Sequence, residues 1–218
     1  MKRILKVVLV ISLFSFILLS VFQYSALNID YFENKFEENN TDRVTGISEE
    51  KLLDISKEII RYLEGDRKDL LIEIGDEKGY VFGDREVKHM EDVEKLFRIG
   101  FFIKNVFLTV SILSFFILKF YYKEKLKTSL IAGGIIFSLI LAAIGVIIVF
   151  NFNKAFIIFH EILFDNDLWI LNPKEDVLIQ MLPSNFFSDL GFLIVKRYII
   201  ILIIIIVSLL MVPKIKTR

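Results

Sequence analysis

Cysteine is absent from this 218-residue chain. That excludes a disulfide framework, a thiolate metal site and a cysteine nucleophile. It also means that the chain cannot itself be anchored through an acylated cysteine. An excess of either charge is absent too: 27 basic residues balance 27 acidic ones, so nothing points to a nucleic-acid partner. Histidine occurs twice and tryptophan once, so any imidazole chemistry rests on His89 and His160. Neither a GxSxG nucleophile elbow nor a phosphate-binding glycine loop is present.

Apolar residues take that place. They make up 55% of the chain, above an ordinary globular balance, and they gather in four runs. The runs cover about residues 4–22, 100–122, 129–150 and 190–212, each near the ~20 residues needed to cross a bilayer. The first run follows Lys2 and Arg3, as a signal peptide would. It exceeds the ~7–15 apolar residues of such a peptide, and Tyr24-Ser25-Ala26 is a poor cleavage match, so an uncleaved helix is expected. Gly133, Gly134 and Gly145 in the third run allow close helix approach, or are simply tolerated there.

The flanking charges give an orientation. Lys2, Arg3 and Lys6 precede the first run, Lys119, Lys123, Lys125 and Lys127 crowd the link after the second, and Lys214, Lys216 and Arg218 follow the fourth. With four spans these segments share one side, and their basic character makes that side the cytoplasm. Residues 22–98 carry 20 acidic and 12 basic side chains, and residues 151–189 carry six and two. Both acidic segments are expected outside. The expected organisation is a cap over about residues 23–99, a cytoplasmic link at 123–128, a second outer segment at 151–189 and a cytoplasmic tail at 213–218.

Within the cap, Leu52, Leu53, Ile55, Ile59, Ile60 and Leu63 recur at helical spacing, with Ser48 as N-cap and Gly65 as stop. Leu70 to Ile74 and Tyr80 to Phe82 flank Gly75-Asp76-Glu77-Lys78-Gly79, which reads as a short hairpin. A helix resumes near Glu86 and continues into the second span. In the second outer segment His160 and Glu161 interrupt an apolar stretch from Phe156 to Phe164, which fits an interfacial or re-entrant helix. Asn172, Pro173 and Glu175 read as the start of a short helix that Pro183 ends, and Ser184 as the cap of the fourth span. The fold class is an α-helical membrane protein: four transmembrane helices and a small, mainly helical extracytoplasmic cap with one hairpin.

Chemistry-bearing residues are few. Lys104, Lys196 and Arg197 lie in the outer halves of spans two and four. Either they snorkel to headgroups, or they line an outer-leaflet cavity and hold an anionic or carbonyl-rich lipid ligand. Histidine can take and return a proton near neutral pH. Asp92 stands three residues after His89, where its carboxylate could fix the ring tautomer. A lone histidine on an amphipathic helix is usually structural, whereas two converging histidines would form a site. A zinc site would recruit Glu161, Asp165 or Asp167, but no recognised ligand spacing occurs and no metal is expected.

Phe159-His160-Glu161, then Phe164-Asp165-Asn166-Asp167-Leu168-Trp169, then Asp176, Leu178-Ile179, Leu182-Pro183 and Phe186-Phe187 resemble the central motif of one bacterial membrane family. Glu86, His89-Met90 and Asp92-Val93 resemble its Glu-x-x-His-Met-x-Asp-Val segment. That family is the lipoprotein intramolecular transacylases. The resemblance spans the whole topology, but its specific motifs occupy only about 45 residues, and the cap from Asn28 to Gly83 carries none. It implies transfer of the sn-2 acyl chain of a diacylglyceryl-modified N-terminal cysteine to that cysteine's α-amino group, in monoderm, Gram-positive bacteria. The implied product is a lyso-form lipoprotein. Ester becomes amide, so no ATP or other cofactor is implied. The implied catalytic pair is His160 and His89. Asp92, Glu86, Glu161, Asp167, Trp169 and Asp176 would support or orient it, and Lys196, Arg197 and Lys104 would contact substrate. The expected partners are lipoproteins and membrane lipid. Two other classes stay open at this point. One is a non-enzymatic sensor or chaperone-like module that binds through its acidic cap. The other is a transporter, for which the spans offer few polar residues.

Overall fold

The structure is a computed structural model and describes residues 1–73 and 79–211. The described residues are almost entirely helical. In order they form α1 (Lys2–Ala26), α2 (Ile29–Asn39), α3 (Thr41–Thr45), α4 (Glu49–Glu64) and α5 (Asp84–Phe116), which a π turn over Ile117–Tyr121 continues. There follow α6 (Lys127–Phe150), α7 (Phe152–Leu163), α8 (Val177–Met181) and α9 (Ser184–Met211). Four of these, α1, α5 with its π turn, α6 and α9, are long and apolar enough to cross a membrane. Ile136, Leu139, Ile140 and Ile147 of α6 are all exposed. So much apolar surface on one helix suits hydrocarbon rather than water, and the chain is a multi-pass membrane protein.

The chain divides into two compact units. The first comprises residues 1–23, 102–150 and those from 191 onward. Here α1 and α6 pack closely at two of the three glycines named above. A Cβ on Gly133 would lie 2.5 Å from Cγ1 of Val10, and one on Gly134 would lie 2.6 Å from Cζ of Phe14. Gly145 would meet nothing within 4 Å, so at that position glycine is merely tolerated. Leu9, Leu118 and Leu126 form a buried cluster. Lys2 and Lys6 both pair with Glu124, at 3.3 and 2.7 Å.

The second unit comprises residues 24–101 and 151–190. Its core begins with α4, whose Leu52, Ile55, Ile59 and Leu63 are buried at helical spacing. Ser48 occupies the N-cap, though its side chain makes no capping bond, and Gly65 ends the helix with φ +85°, where a side chain would be strained. The sequence reading did not anticipate α2. Asn28 caps it by accepting the N–H of Tyr31 at 3.0 Å, and Phe32 and Phe36 pack on one face, their rings 6.1 Å apart. The start of α9 closes over α2: Tyr31 and Phe32 each lie 5.0 Å from the Phe186 ring. The Tyr31 hydroxyl donates to the Phe186 carbonyl at 2.6 Å. Lys35 pairs with Asp189 at 2.5 Å and with Glu38 at 2.6 Å.

Two local expectations change. The described residues contain no strand; where a hairpin was expected there is one antiparallel bridge, Glu73 to Tyr80, and the Val81 N–H donates to Ile72 at 2.8 Å. Ile74 and the turn residues 75–78 of that expectation lie outside the described residues. The helix expected to open at Asn172 and Pro173 instead starts at Val177, with Asp176 at its N-cap. The reason is local competition by side chains. Asn172 accepts the Lys174 N–H at 3.1 Å, and Asp176 accepts the Asn172 N–H at 2.6 Å, which fixes a turn there instead of a helix.

Candidate active site

The site lies within the second unit and starts from α5. Charged residues recur along this helix from Asp84 to Arg98, a pattern that hydrocarbon does not accept, so His89 stands before the apolar span rather than in it. Residues 85, 86, 89 and 92 share one face of the helix, at spacings of one and two turns. Each of these four side chains is directed to the segment from Asn151 to Leu190.

Glu86 is buried, with 2% of its surface exposed. Its carboxylate accepts the Gly83 N–H at 2.7 Å and the Leu178 N–H at 2.6 Å, and so caps α5 and α8 together. Burial pushes its carboxyl above the ordinary range, against the Leu178, Gly83 and Val177 N–H groups that favour the charged form. Arg85 donates to the Asp167 backbone and pairs with its carboxylate at 3.4 Å. Asp92 accepts Asn166 Nδ2 at 2.9 Å and Lys95 at 3.0 Å, and the Asn166 bond, ahead of Lys95, holds it below the usual carboxylate range.

These links bring α5 against α7, and with it the two histidines. Their ring centroids are 6.0 Å apart, and the two residues are 8% and 7% exposed. The structure therefore supplies the convergence that the sequence left open. Position 160 is buried because α7 turns that side inward, while Ile157, Ile158, Phe159 and Ile162 stay exposed. Nδ1 of His160 lies 2.7 Å from the Phe156 carbonyl, one turn back. A carbonyl can only accept, so the proton is assigned to Nδ1 and the lone pair to Nε2. Burial holds the His160 ring below its ordinary value, partly offset by that hydrogen bond.

His89 has no such anchor. Its Nδ1 is buried and finds no hydrogen-bond partner among the described residues. The Phe164 ring stands edge-on to it at 5.4 Å. Burial pushes its pKa down to about 4; His160 lowers it further, and Asp92 opposes both. Asp92 thus acts on His89 through space, while its hydrogen bonds go to Asn166 and Lys95.

The other residues singled out in the sequence are placed as follows. Trp169 lies against His160, with centroids 4.9 Å apart and planes tilted by 30°. Asp176 is the N-cap of α8, Asp167 receives Arg85, and Glu161 is exposed beside His160. Lys104, Lys196 and Arg197 belong to the first unit. There Lys104 donates to Gln23, Lys196 is exposed, and Arg197 is half-buried. Among the described residues no group of three or more histidine, aspartate or glutamate side chains could hold a metal ion.

Sequence reasoning missed Asn166 and Arg85. Asn166 fell inside a motif quoted for its other members, and its partner Asp92 lies 74 residues earlier. Nothing local to either residue signals that pairing.

Comparison with known proteins bears directly on this arrangement. The family model for "Lipoprotein intramolecular transacylase Lit" matches residues 7–187. An uncharacterized protein of Aquifex aeolicus (strain VF5) is 31% identical over 193 residues, which is 81% of this chain and 84% of that protein. The in meso structure of the lipoprotein intramolecular transacylase Lit from Bacillus cereus has the same fold, with a TM-score of 0.78, 20% identity and 96% of both chains covered. A variant of that protein with one histidine replaced by alanine also has a TM-score of 0.78, at 19% identity, covering 96% of this chain and 94% of its own. Since the family model takes in α7, α8 and both histidines along with most of the chain, the chain belongs to the lipoprotein intramolecular transacylase family.

Proposed function

We propose that His160 and His89 carry out this family's acyl transfer on the extracytoplasmic side of the membrane. The observation that carries the reading is the Nδ1 to Phe156 carbonyl contact of 2.7 Å, which leaves Nε2 of His160 unprotonated and able to act as a base. An amine attacks an ester only when it is unprotonated. His160 Nε2 takes a proton as the α-amino nitrogen of the modified cysteine bonds to the sn-2 ester carbonyl carbon. The bond from that carbon to the glycerol oxygen then breaks, and the same proton goes to the glycerol oxygen, leaving an amide and a free hydroxyl.

His89 takes a different part. A ring whose pKa is near 4 is neutral at physiological pH. It therefore carries no spare proton to deliver, but it can donate a hydrogen bond to the carbonyl oxygen or relay the proton that His160 holds. Both reacting groups belong to one substrate molecule. Holding them in attack geometry contributes most of the acceleration, up to ~7–11 kcal/mol in favourable cases, and no cofactor enters the scheme.

The exposed apolar side chains of α7 suit contact with acyl chains at the bilayer surface. Lys196, Arg197 and Lys104 suit the polar glycerol and headgroup region of that leaflet. A non-enzymatic module that binds through its acidic cap would leave the buried histidine contact without a purpose.

The test is mass spectrometry of lipoprotein N-terminal lipopeptides from cells that lack other N-acylation. The wild type is expected to move one acyl chain from glycerol to the amine at unchanged total mass. His160→Ala, expressed and folded, is expected not to, and His89→Ala is expected to be strongly impaired. Persistence of the diacylglyceryl amine form beside well-expressed wild type would overturn the reading.

A further inference from the structure

His160 is ringed by aromatic side chains. Ring centroids of Phe156, Trp169, Phe159 and Phe164 lie at 4.3, 4.9, 5.4 and 5.6 Å. The polar contact of the ring is the Phe156 carbonyl at Nδ1. The titratable groups around it are all engaged elsewhere or exposed. His89 is the neighbouring ring on α5, Asp92 acts on His89, Glu86 binds backbone N–H groups, Asp167 receives Arg85, and Glu161 is exposed. Among the described residues no carboxylate shifts His160.

A base in that setting has a difficulty. For as long as it holds the amine's proton, His160 is a buried cation without a counter-ion, which is costly unless something offsets the charge. Indole is the best cation–π partner among the aromatic side chains and acts within about 6 Å. Trp169 offers its face at 4.9 Å. It is also held in place. Its Nε1–H donates to the Asn166 carbonyl at 3.0 Å, and the Asn166 side chain donates to Asp92 at 2.9 Å and accepts the Leu168 N–H at 3.0 Å. Asp92 lies on α5, three residues after His89, so Asn166 holds the indole through its backbone carbonyl and ties that turn to α5 through its side-chain amide.

We infer that Trp169 stabilises the transient imidazolium of His160 through its ring face, and that Asn166 is the positioning residue that sets the indole there. This rests on the role given to His160 above. The neutral ring gains little from the indole and the protonated ring gains more, so the contact strengthens as the reaction proceeds and lowers the barrier. Trp169 acts through His160 and is likewise a positioning residue.

The experiment compares Trp169→Phe with Trp169→Leu in the purified full-length protein. Phe and Leu are close in volume, so the pair separates the aromatic face from burial. Turnover of the Leu variant is expected to fall roughly three- to thirtyfold in kcat with KM little changed, and the Phe variant to keep most of it. The NMR titration of the His160 ring is expected at lower pH in the Leu variant than in the Phe variant. Emission of the chain's single tryptophan, which an imidazolium quenches, is expected to titrate in the wild type, to stop titrating in His160→Gln, and to weaken its response in Asn166→Ala. Equal His160 titrations in the Leu and Phe variants overturn the inference whether or not the enzyme turns over. Unchanged emission and kcat in Asn166→Ala overturn the positioning role of Asn166. The expected shift in a protein that still transfers acyl groups without His160 would instead overturn the catalytic reading above and leave the ring contact standing.

Discussion

His89 and His160 are both buried, yet desolvation bears on them unequally, because the Phe156 carbonyl partly compensates His160 while Nδ1 of His89 has no partner among the described residues. A consequence for stability follows from His89. Its folded value is about 4, against ~6.5 in an unfolded chain. As pH falls the unfolded state takes up its proton first, so stability declines between those two values, by about 3 kcal/mol in all. Thermal unfolding in detergent from pH 7 to pH 4 is expected to show this decline in the wild type and a shallower one in His89→Gln. Parallel curves would mean that folding does not depress the His89 pKa. At this scale the sequence was partly legible. The motifs around His89 and His160 singled out both rings. The tautomer of His160 was not readable, since it depends on which carbonyl a helical turn places at Nδ1.

Among the elements, α8 is the least able to form alone, having five residues and hence little chance of surviving the cost of helix nucleation. Glu86 supplies what its sequence lacks, by accepting the Leu178 N–H from another helix. Glu86→Ala would leave the Gly83 and Leu178 N–H groups without this acceptor, at about 1–3 kcal/mol for each group that stays buried. Glu86→Gln keeps one accepting oxygen but turns an NH2 group toward the other donor, so it is expected to cost less than Ala and more than nothing. Thermal midpoints should rank wild type, Gln, Ala, and hydrogen exchange at Leu178 should accelerate in the same order. An Ala variant as stable as wild type would remove Glu86 from this role. The same dependence explains which elements could be read in advance. α4 carries its own periodicity and a glycine stop, and it was legible. α2 is short and heavily charged, its buried face is completed by Phe186 from far along the chain, and it was not. The start of α8 was misplaced because Asn172 and Asp176 close a turn ahead of it, and the carboxylate that accepts its Leu178 N–H lies 92 residues away.

At the scale of the whole molecule, four apolar runs were legible because crossing hydrocarbon demands length and composition more than any particular contact. How two distant acidic segments fold into one compact unit was not, since that rests on pairings such as Lys35 with Asp189. Orientation is the property on which the proposed function depends at this scale, for the modified cysteine of a lipoprotein is presented on the outer face. From the basic segments, α1's start and the link after α5 are expected in the cytoplasm, and the acidic unit that holds the histidines is expected outside. The natural lack of cysteine makes this directly measurable. Glu50 and Lys125 are both exposed, one in the unit with the histidines and one in the basic link. A membrane-impermeant maleimide is expected to label Glu50→Cys in intact cells, and Lys125→Cys only after permeabilisation. The reverse pattern would put both histidines in the cytoplasm, away from any exported lipoprotein. Acyl transfer to a lipoprotein amine would then have to occur before export, and the outer-face site would have to be abandoned.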